Sequence, residues 1–126
     1  MAEFTLPHHH SDESDALSIK ETLDKTENFT KVAEIFKNLG DSNRLRVFCL
    51  LCHREECVID IAAMVDMTTP AVSHHLKVLK AAGLIISRRS GKEVYYRAAD
   101  TFEADFLHKA VDKVMDITCP GRVDIE

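Results

Sequence analysis

The feature that most constrains the fold is an amphipathic stretch bounded by a proline and a glycine. Residues 70–82 read PAVSHHLKVLKAA, and Gly83 follows. Because proline suits the first turn of a helix and glycine the position after its end, the stretch predicts a helix over 70–82, capped by Thr68 or Thr69. Apolar residues form one face, namely Ala71, Val72, Leu76, Val78 and Leu79. The other face is polar and basic: Ser73, His74, His75, Lys77 and Lys80.

The flanking segments predict further helices and one hairpin. Residues 84–87 and 93–97 are short β-prone runs around the basic turn RRSGK at 88–92, which indicates a hairpin. Residues 57–64 read CVIDIAAM and predict a short apolar helix after a polar turn at 53–56. Apolar periodicity predicts the remaining helices over 19–39, in one or two pieces, from Asp41 or Ser42 to 52, and from Asp100 or Thr101 to 117.

Net charge bears on the choice of partner. The 126 residues carry 21 acidic and 16 basic side chains, and a net charge of -5 argues against a nucleic-acid binder. Its distribution reverses that inference. Residues 67–99 contain six basic side chains and one acidic side chain, whereas the terminal segments are acidic. The positive charge is therefore concentrated in the predicted polar-faced helix and hairpin, where it can attract a polyanion.

This order of elements is typical of a winged helix-turn-helix. The major groove of B-DNA admits one α-helix, and small polar side chains near its N-terminal end reach the base edges. A basic hairpin beside that helix can contact phosphates or the minor groove. The predicted fold class is therefore mainly α with a β-hairpin wing.

Five segments together resemble the ArsR/SmtB family of bacterial winged-helix repressors. They are LGDSNRLR at 39–46, ECVIDIA at 56–62, PAVSHHLKVL at 70–79, AGLI at 82–85 and RRSGKEVYY at 88–96. The resemblance covers about residues 29–118. It implies a homodimeric repressor that dimerises through its first and last helices and binds a palindromic operator. The expected DNA contacts are Thr69, Ser73, His74, His75, Lys77 and Lys80 on the helix, with Arg88, Arg89 and Lys92 on the wing. In an alternative interpretation, one of the two adjacent histidines packs beneath the helix.

The resemblance also implies an inducer site. Family members sense metals, arsenicals or reactive sulfur species. One branch uses the two thiols of a Cys-Val-Cys-Asp segment. This chain keeps the first cysteine as Cys57 but has Ile59 in place of the second. A last-helix zinc site of the family type would need imidazoles where Phe102 and Lys113 stand. Thiolates are the remaining candidates, and they suit Zn(II), Cd(II), Cu(I) or As(III) as inducer.

The candidate thiolate ligands are Cys52, Cys57 and Cys119, with His8, His9, His10 or His53 able to complete a tetrahedral shell. We expect Cys57 and Cys119 to be the more exposed thiols because both lie at helix ends, and Cys49 to be an inert core thiol. In the alternative, Cys49, Cys52 and Cys119 supply a reversible disulfide or polysulfide bridge for redox sensing.

The remaining expectations concern organisation and class. Residues 1–18 predict a flexible tail rich in His, Asp and Ser, residues 19–120 the DNA-binding and dimerisation domain, and residues 121–126 a C-terminal tail. No signal peptide or membrane span is expected, so the protein is predicted to be cytoplasmic with reduced thiols. No catalytic Ser-His-Asp or Cys-His order is evident, so we predict neither an enzyme nor an organic cofactor. A winged helix that binds only protein partners is disfavoured by the polar helix face and the basic wing.

Overall fold

The computed structural model describes residues 4–8, 14–119 and 121, and it contains the predicted helices and hairpin in the predicted order, with one additional short strand. The helices are α1 (Ser14–Leu23), α2 (Thr26–Asn38), α3 (Ser42–His53), α4 (Val58–Val65), α5 (Thr69–Ala81) and α6 (Phe102–Thr118). The strands are β1 (Glu56–Cys57), β2 (Ile85–Ser90) and β3 (Glu93–Ala98). The chain divides into two compact units, Met1–Phe36 and Lys37–Glu126.

The first unit contains α1 and most of α2. The stretch predicted to be helical from Ile19 in fact begins at Ser14, so residues 14–18, expected in the tail, are helical. Asp15 in the first turn and Lys20 in the last turn both complement the helix dipole, and Lys20 Nζ lies 2.7 Å from Asp24 Oδ2. The mobility of the tail stays a prediction.

Three helices of the second unit begin at a predicted capping side chain. Asp41 Oδ1 accepts hydrogen bonds from the backbone of Asn43 at 2.9 Å and of Arg44 at 3.0 Å. Thr68 and Thr101 cap α5 and α6 through their hydroxyl oxygens. Each cap satisfies backbone N–H groups that have no partner within the helix, so the three helix starts are determined locally.

The small sheet has three antiparallel strands in the order β1-β3-β2. The predicted hairpin is confirmed: Ser90 pairs with Glu93, and Gly91 adopts a positive φ of 62° in the turn between them. The sequence did not predict β1. Its two residues pair with Tyr95 and Tyr96 of β3, so the segment before α4 becomes an edge strand.

The core of the second unit lies among α3, α4, α5 and the base of the hairpin. Its largest fully buried side chains are Val47, Phe48, Ile61, Val72, Leu76, Leu79, Leu84 and Ile85. On α5, only part of the predicted apolar face is fully enclosed, because Ala71 and Val78 are half-buried. This packing holds α5 against α3 and α4 and leaves its opposite face at the surface.

Candidate nucleic-acid interface and thiol sites

The surface of α5 carries five of the six helix residues predicted to contact DNA. Thr69, Ser73, His74, Lys77 and Lys80 are all exposed, and we call them the reading face. Val72, Leu76 and Leu79 are buried on the opposite side. Helical spacing therefore separates polar from apolar side chains, and a rigid core supports the polar set.

His75 does not belong to the reading face, which corrects the expectation that it faces DNA. Its side chain is buried, with a relative exposure of 8%, and its Nδ1 accepts a hydrogen bond from Arg44 Nε at 3.3 Å. Burial lowers the pKa of His75 below its usual value, and the charge of nearby Asp41 opposes that shift. The structure thus matches the alternative in which one of the two adjacent histidines packs under the helix.

The wing, formed by β2, β3 and their turn, is linked to the reading face by a side-chain hydrogen bond. Lys80 Nζ donates to Ser87 Oγ at 2.7 Å. The bond runs from the last turn of α5 to β2 and fixes the start of the wing beside the reading face. Polar and basic groups of two different elements therefore form one continuous surface.

Arg88 and Arg89 differ in their surroundings although they are adjacent on β2. The guanidinium of Arg88 donates to both carboxylate oxygens of Glu55, at 3.0 and 2.9 Å from Nε, and lies 5.0 Å from the ring centroid of Tyr95. This hydrogen bonding lowers the pKa of Glu55 and raises the pKa of Arg88. Successive side chains of a strand point to opposite faces, and Arg89 is exposed with no ion pair to any described residue. Lys92 is likewise exposed in the turn.

The four cysteines are free and lie in different environments. Cys57 is buried, which corrects the expectation of an exposed thiol at a helix end: the residue belongs to β1 and pairs with Tyr95. Cys119, at the end of α6, is exposed as expected, and its Sγ lies 3.6 Å from Thr118 Oγ1. Cys49 and Cys52 are half-buried on α3. This corrects the expectation that Cys49 is enclosed in the core.

The two thiols of α3 are hard to deprotonate. Burial raises the pKa of both, and that of Cys52 reaches about 12 with smaller contributions from Cys49 and the Asp112 carboxylate. Both groups are therefore neutral thiols at physiological pH. Within residues 4–8, 14–119 and 121, no three His, Cys, Asp or Glu side chains are grouped so as to hold a metal ion.

The structure therefore does not bring Cys52, Cys57 and Cys119 together in one chain. His8 is exposed in the described part of the tail, whereas the predicted ligands His9 and His10 lie outside the described residues. His53, the other predicted ligand, is hydrogen-bonded to His108 of α6.

Known proteins share this arrangement. The family model for bacterial regulatory proteins of the arsR family matches residues 41–87, the span from the cap of α3 to β2. The arsenical resistance operon repressor of Escherichia coli is 38% identical over 81 residues, which make up 64% of this chain and 68% of that protein. The chain belongs to the arsR family.

Other family members extend the comparison. A transcriptional repressor SmtB homolog of Synechocystis sp. is 36% identical over 68% of this chain and 65% of its own length. The cadmium resistance regulatory protein CadC of Listeria innocua is 46% identical over 52% of this chain and 56% of its own length. The chain thus spans less than two thirds of the length of these two relatives.

A solved structure supports the fold. The homodimeric winged helix-turn-helix DNA-binding domain of a possible ArsR-family regulator from Mycobacterium bovis has a TM-score of 0.63 and 26% identity, covering 94% of this chain and all of that fragment. The predicted winged helix-turn-helix is confirmed. Membership of the arsR family places the chain among transcriptional regulators rather than enzymes. Among the described residues, no helix combines the length and apolar character needed to cross a bilayer.

Sequence reasoning missed three long-range contacts that shape these sites. Glu55 holds the wing through Arg88, Tyr95 pairs with Cys57, and His108 contacts His53. No local pattern signals these contacts, because each joins residues more than 30 positions apart. The burial of His75, by contrast, had a signal: the residue lies three positions after Val72 and four before Leu79, on the same helix face.

Proposed function

We propose that the protein is a homodimeric DNA-binding repressor that releases a palindromic operator when a thiophilic metal or metalloid ion binds. The observation that carries the DNA-binding part is the exposed polar face of α5 beside a basic wing, both held on a buried core. The metal-responsive part is supported by relatives whose names refer to cadmium and arsenical resistance.

Contact with DNA would use the reading face and the outer side of the wing. Thr69 and Ser73 lie towards the N-terminal end of α5, the part that enters the major groove in helix-turn-helix proteins. Lys77 and Lys80, with Arg89 and Lys92 on the wing, would contact phosphates. Arg88 is engaged by Glu55, so we assign it to positioning the wing rather than to DNA.

Exposed apolar side chains support dimerisation through the first and last helices. On α6, Phe102 is 78% and Ile117 is 73% exposed, and the rings of Phe102 and Phe106 stack at 5.9 Å. On α2, Phe29 and Phe36 are also exposed. Apolar patches of this kind mark protein interfaces. A twofold dimer places two recognition helices about one turn of DNA apart, which matches a palindromic operator.

The inducer would bind through cysteine thiolates. Cys119 is the most accessible thiol, whereas Cys52 and Cys57 would have to become accessible when the ion binds, or meet ligands of the second protomer. His8, His9, His10 or His53 would complete the shell. Binding displaces the thiol protons, so an ion with high thiolate affinity is needed, such as Cd(II), As(III), Cu(I) or Zn(II).

The redox alternative would use Cys49, Cys52 and Cys119. Cys49 and Cys52 lie three residues apart on one face of α3, which is the geometry that favours it. The high pKa of Cys52 weighs against it, because thiol-disulfide exchange requires a thiolate nucleophile. We therefore place metal sensing first.

The proposal extends to the domain limits of the chain and to its cellular location. Residues 19–120 would form the functional domain, with tails at 1–18 and 121–126. Cysteines that are all free suit a reducing compartment, which supports a cytoplasmic protein.

A DNA-release assay tests the proposal. Duplex binding is measured by fluorescence anisotropy before and after addition of Cd(II) or As(III), for the wild type and for Cys57→Ser and Cys119→Ser. We expect the wild type to bind the duplex and to release it when the ion is added. Release requires the ion to favour the DNA-free conformation of the protein by about 4 to 5 kcal/mol. Both variants should bind DNA and resist release. Release of both variants would refute the thiol assignment, and a wild type that binds no duplex would refute the repressor.

A further inference from the structure

A pair of histidines joins α3 to α6 through their Nε2 atoms. His53 ends α3, and His108 lies in the first half of α6. The two Nε2 atoms are 3.2 Å apart, and the rings meet edge to face with centroids 4.8 Å apart and planes at 83°. Neither residue belongs to the reading face, the wing or the exposed apolar face of α6. The pair is therefore a separate feature of the molecule.

The spacing suits a metal chelate. Imidazole nitrogens bind zinc at about 2.0 to 2.1 Å, so two such ligands at a tetrahedral angle lie about 3.3 Å apart. The observed 3.2 Å agrees with that value. Without an ion, one hydrogen lies between the two nitrogens, donated by one ring and accepted by the other. An ion can replace the shared hydrogen without moving either ring far.

The surroundings favour a cation and give it access. Asp112 Oδ2 lies 3.5 Å from His108 Nε2, so a carboxylate stands at the edge of the pair. Asp105 is also close, since its charge and that of Asp112 both contribute to the raised pKa of Cys52. A cavity of about 460 Å³ opens beside both histidines and is lined by Cys52 and Asp105 among others. Water can therefore reach the two nitrogens.

We propose that His53 and His108 chelate one divalent ion of the zinc type through their Nε2 atoms, with water from the adjoining cavity completing the shell. The Asp112 carboxylate is placed to accept a hydrogen bond from a bound water and to balance charge. Imidazole is a ligand for Zn(II), Cu(II), Ni(II) and Co(II). This site shares no thiol with the thiolate site of the proposed function. It takes His53 from the histidines that could complete that site and leaves His8, His9 or His10 for it.

The ion would couple two functional elements. α3 packs against α5, which carries the reading face, and α6 carries exposed apolar side chains. An ion held by both α3 and α6 would therefore restrain α5 relative to α6, the helix proposed to form the dimer interface. This regulatory consequence rests on the proposed function, whereas binding of the ion does not.

Co(II) titration monitored by absorption tests the site. The full chain carries His8→Gln, His9→Gln, His10→Gln and Cys119→Ser, so that neither the tail histidines nor the thiolate site of the proposed function can bind the probe. We expect one Co(II) per protomer and no thiolate-to-cobalt charge-transfer band. His53→Gln and His108→Gln should each weaken binding by at least about 10- to 100-fold, the loss that even outer-shell partners cause. The matched control His74→Gln, on the surface of α5, should retain Co(II) binding.

Imidazole ¹⁵N spectra of the same substituted protein, in which His53 and His108 are intact, provide a second measurement with Zn(II), which is diamagnetic. The Nε2 resonances of His53 and His108 should shift together to metal-bound positions at one equivalent, even if a histidine variant fails to fold. Absence of such shifts, a thiolate charge-transfer band with Co(II), or retention of Co(II) by both histidine variants would overturn the site. Duplex binding is measured in parallel: an ion that binds without altering DNA affinity would confirm the site and refute only its regulatory role.

Discussion

Of the two adjacent arginines of the wing, only Arg89 should contribute to the salt dependence of DNA binding. Both side chains are exposed, but the guanidinium of Arg88 is hydrogen-bonded to Glu55 and lies over the ring of Tyr95. Arg89 lies on the other face of β2 and has no ion pair to any described residue. Only a cation that reaches a phosphate releases counterions from DNA, so only Arg89 should contribute to the salt dependence of affinity. The matched substitutions are Arg89→Gln and Arg88→Gln.

The size of the effect follows from the number of phosphate contacts. Each contact contributes about 0.9 to the slope of log affinity against log salt concentration, and a dimer contains two copies of Arg89. Arg89→Gln should therefore reduce the slope by about 1.8. Over the fourfold range from about 50 to 200 mM salt, the wild type should lose about tenfold more affinity than the variant.

Fluorescence anisotropy with one selected duplex, repeated across that salt range, measures both slopes. Arg88→Gln should leave the slope near the wild-type value while making the wing more mobile, which amide hydrogen exchange of β2 and β3 would detect. If Arg88→Gln lowers the slope as much as Arg89→Gln does, the assignment of the two arginines is wrong. An unchanged slope for Arg89→Gln would show that Arg89 makes no contact with a phosphate.

Three further predictions concern stability and thiol reactivity. Leu79→Ala should lower the free energy of unfolding by about 2 to 5 kcal/mol because the Leu79 side chain is fully buried. Ile59→Ala, at an exposed position, should change it by no more than about 0.5 kcal/mol. Urea denaturation of both variants measures the difference. Because burial lowers the folded-state pKa of His75, the unfolded chain binds the extra proton first, so stability should fall as pH drops below about 6.5, and less so in His75→Gln. Iodoacetamide at pH 8 should modify Cys119 well before Cys52, which is half-buried and has a pKa of about 12; mass spectrometry of the time course checks this.

Each of these three predictions is contradicted by a specific outcome. Equal losses for the two apolar truncations would contradict the assignment of the core. A wild-type stability that is flat between pH 7.5 and 5.5 would contradict the buried neutral imidazole. Equal labelling rates would contradict the burial of the thiols on α3.

Local sequence patterns predicted the elements well because their causes are local. Asp41, Thr68 and Thr101 cap helices through hydrogen bonds to residues two or three positions away. Gly91 permits the positive φ of the hairpin turn. The polar face of α5 follows from helical periodicity alone. Such features depend on near neighbours in the chain, and a single sequence contains them in full.

The contacts that shape the candidate sites are of a different kind. Glu55 and Arg88 are 33 positions apart, and His53 and His108 are 55 apart. Their contact depends on how α3 packs against the sheet and α6, which no local pattern reports. The burial of Cys57 likewise depends on pairing with Tyr95. The expected role of Arg88 and the expected exposure of Cys57 changed for this reason.

The central claim is that a dimer reads a palindrome through α5 and releases it when a metal binds. Selection of bound duplexes from a random-sequence pool, carried out with and without Cd(II) and read by sequencing, tests it most directly. We expect the metal-free protein to enrich an inverted repeat with half-site centres about 10 to 10.5 base pairs apart, or a multiple of that distance, and Cd(II) to abolish the enrichment. Enrichment of a single unrepeated site, or of no sequence, or identical enrichment with and without Cd(II), would contradict the account.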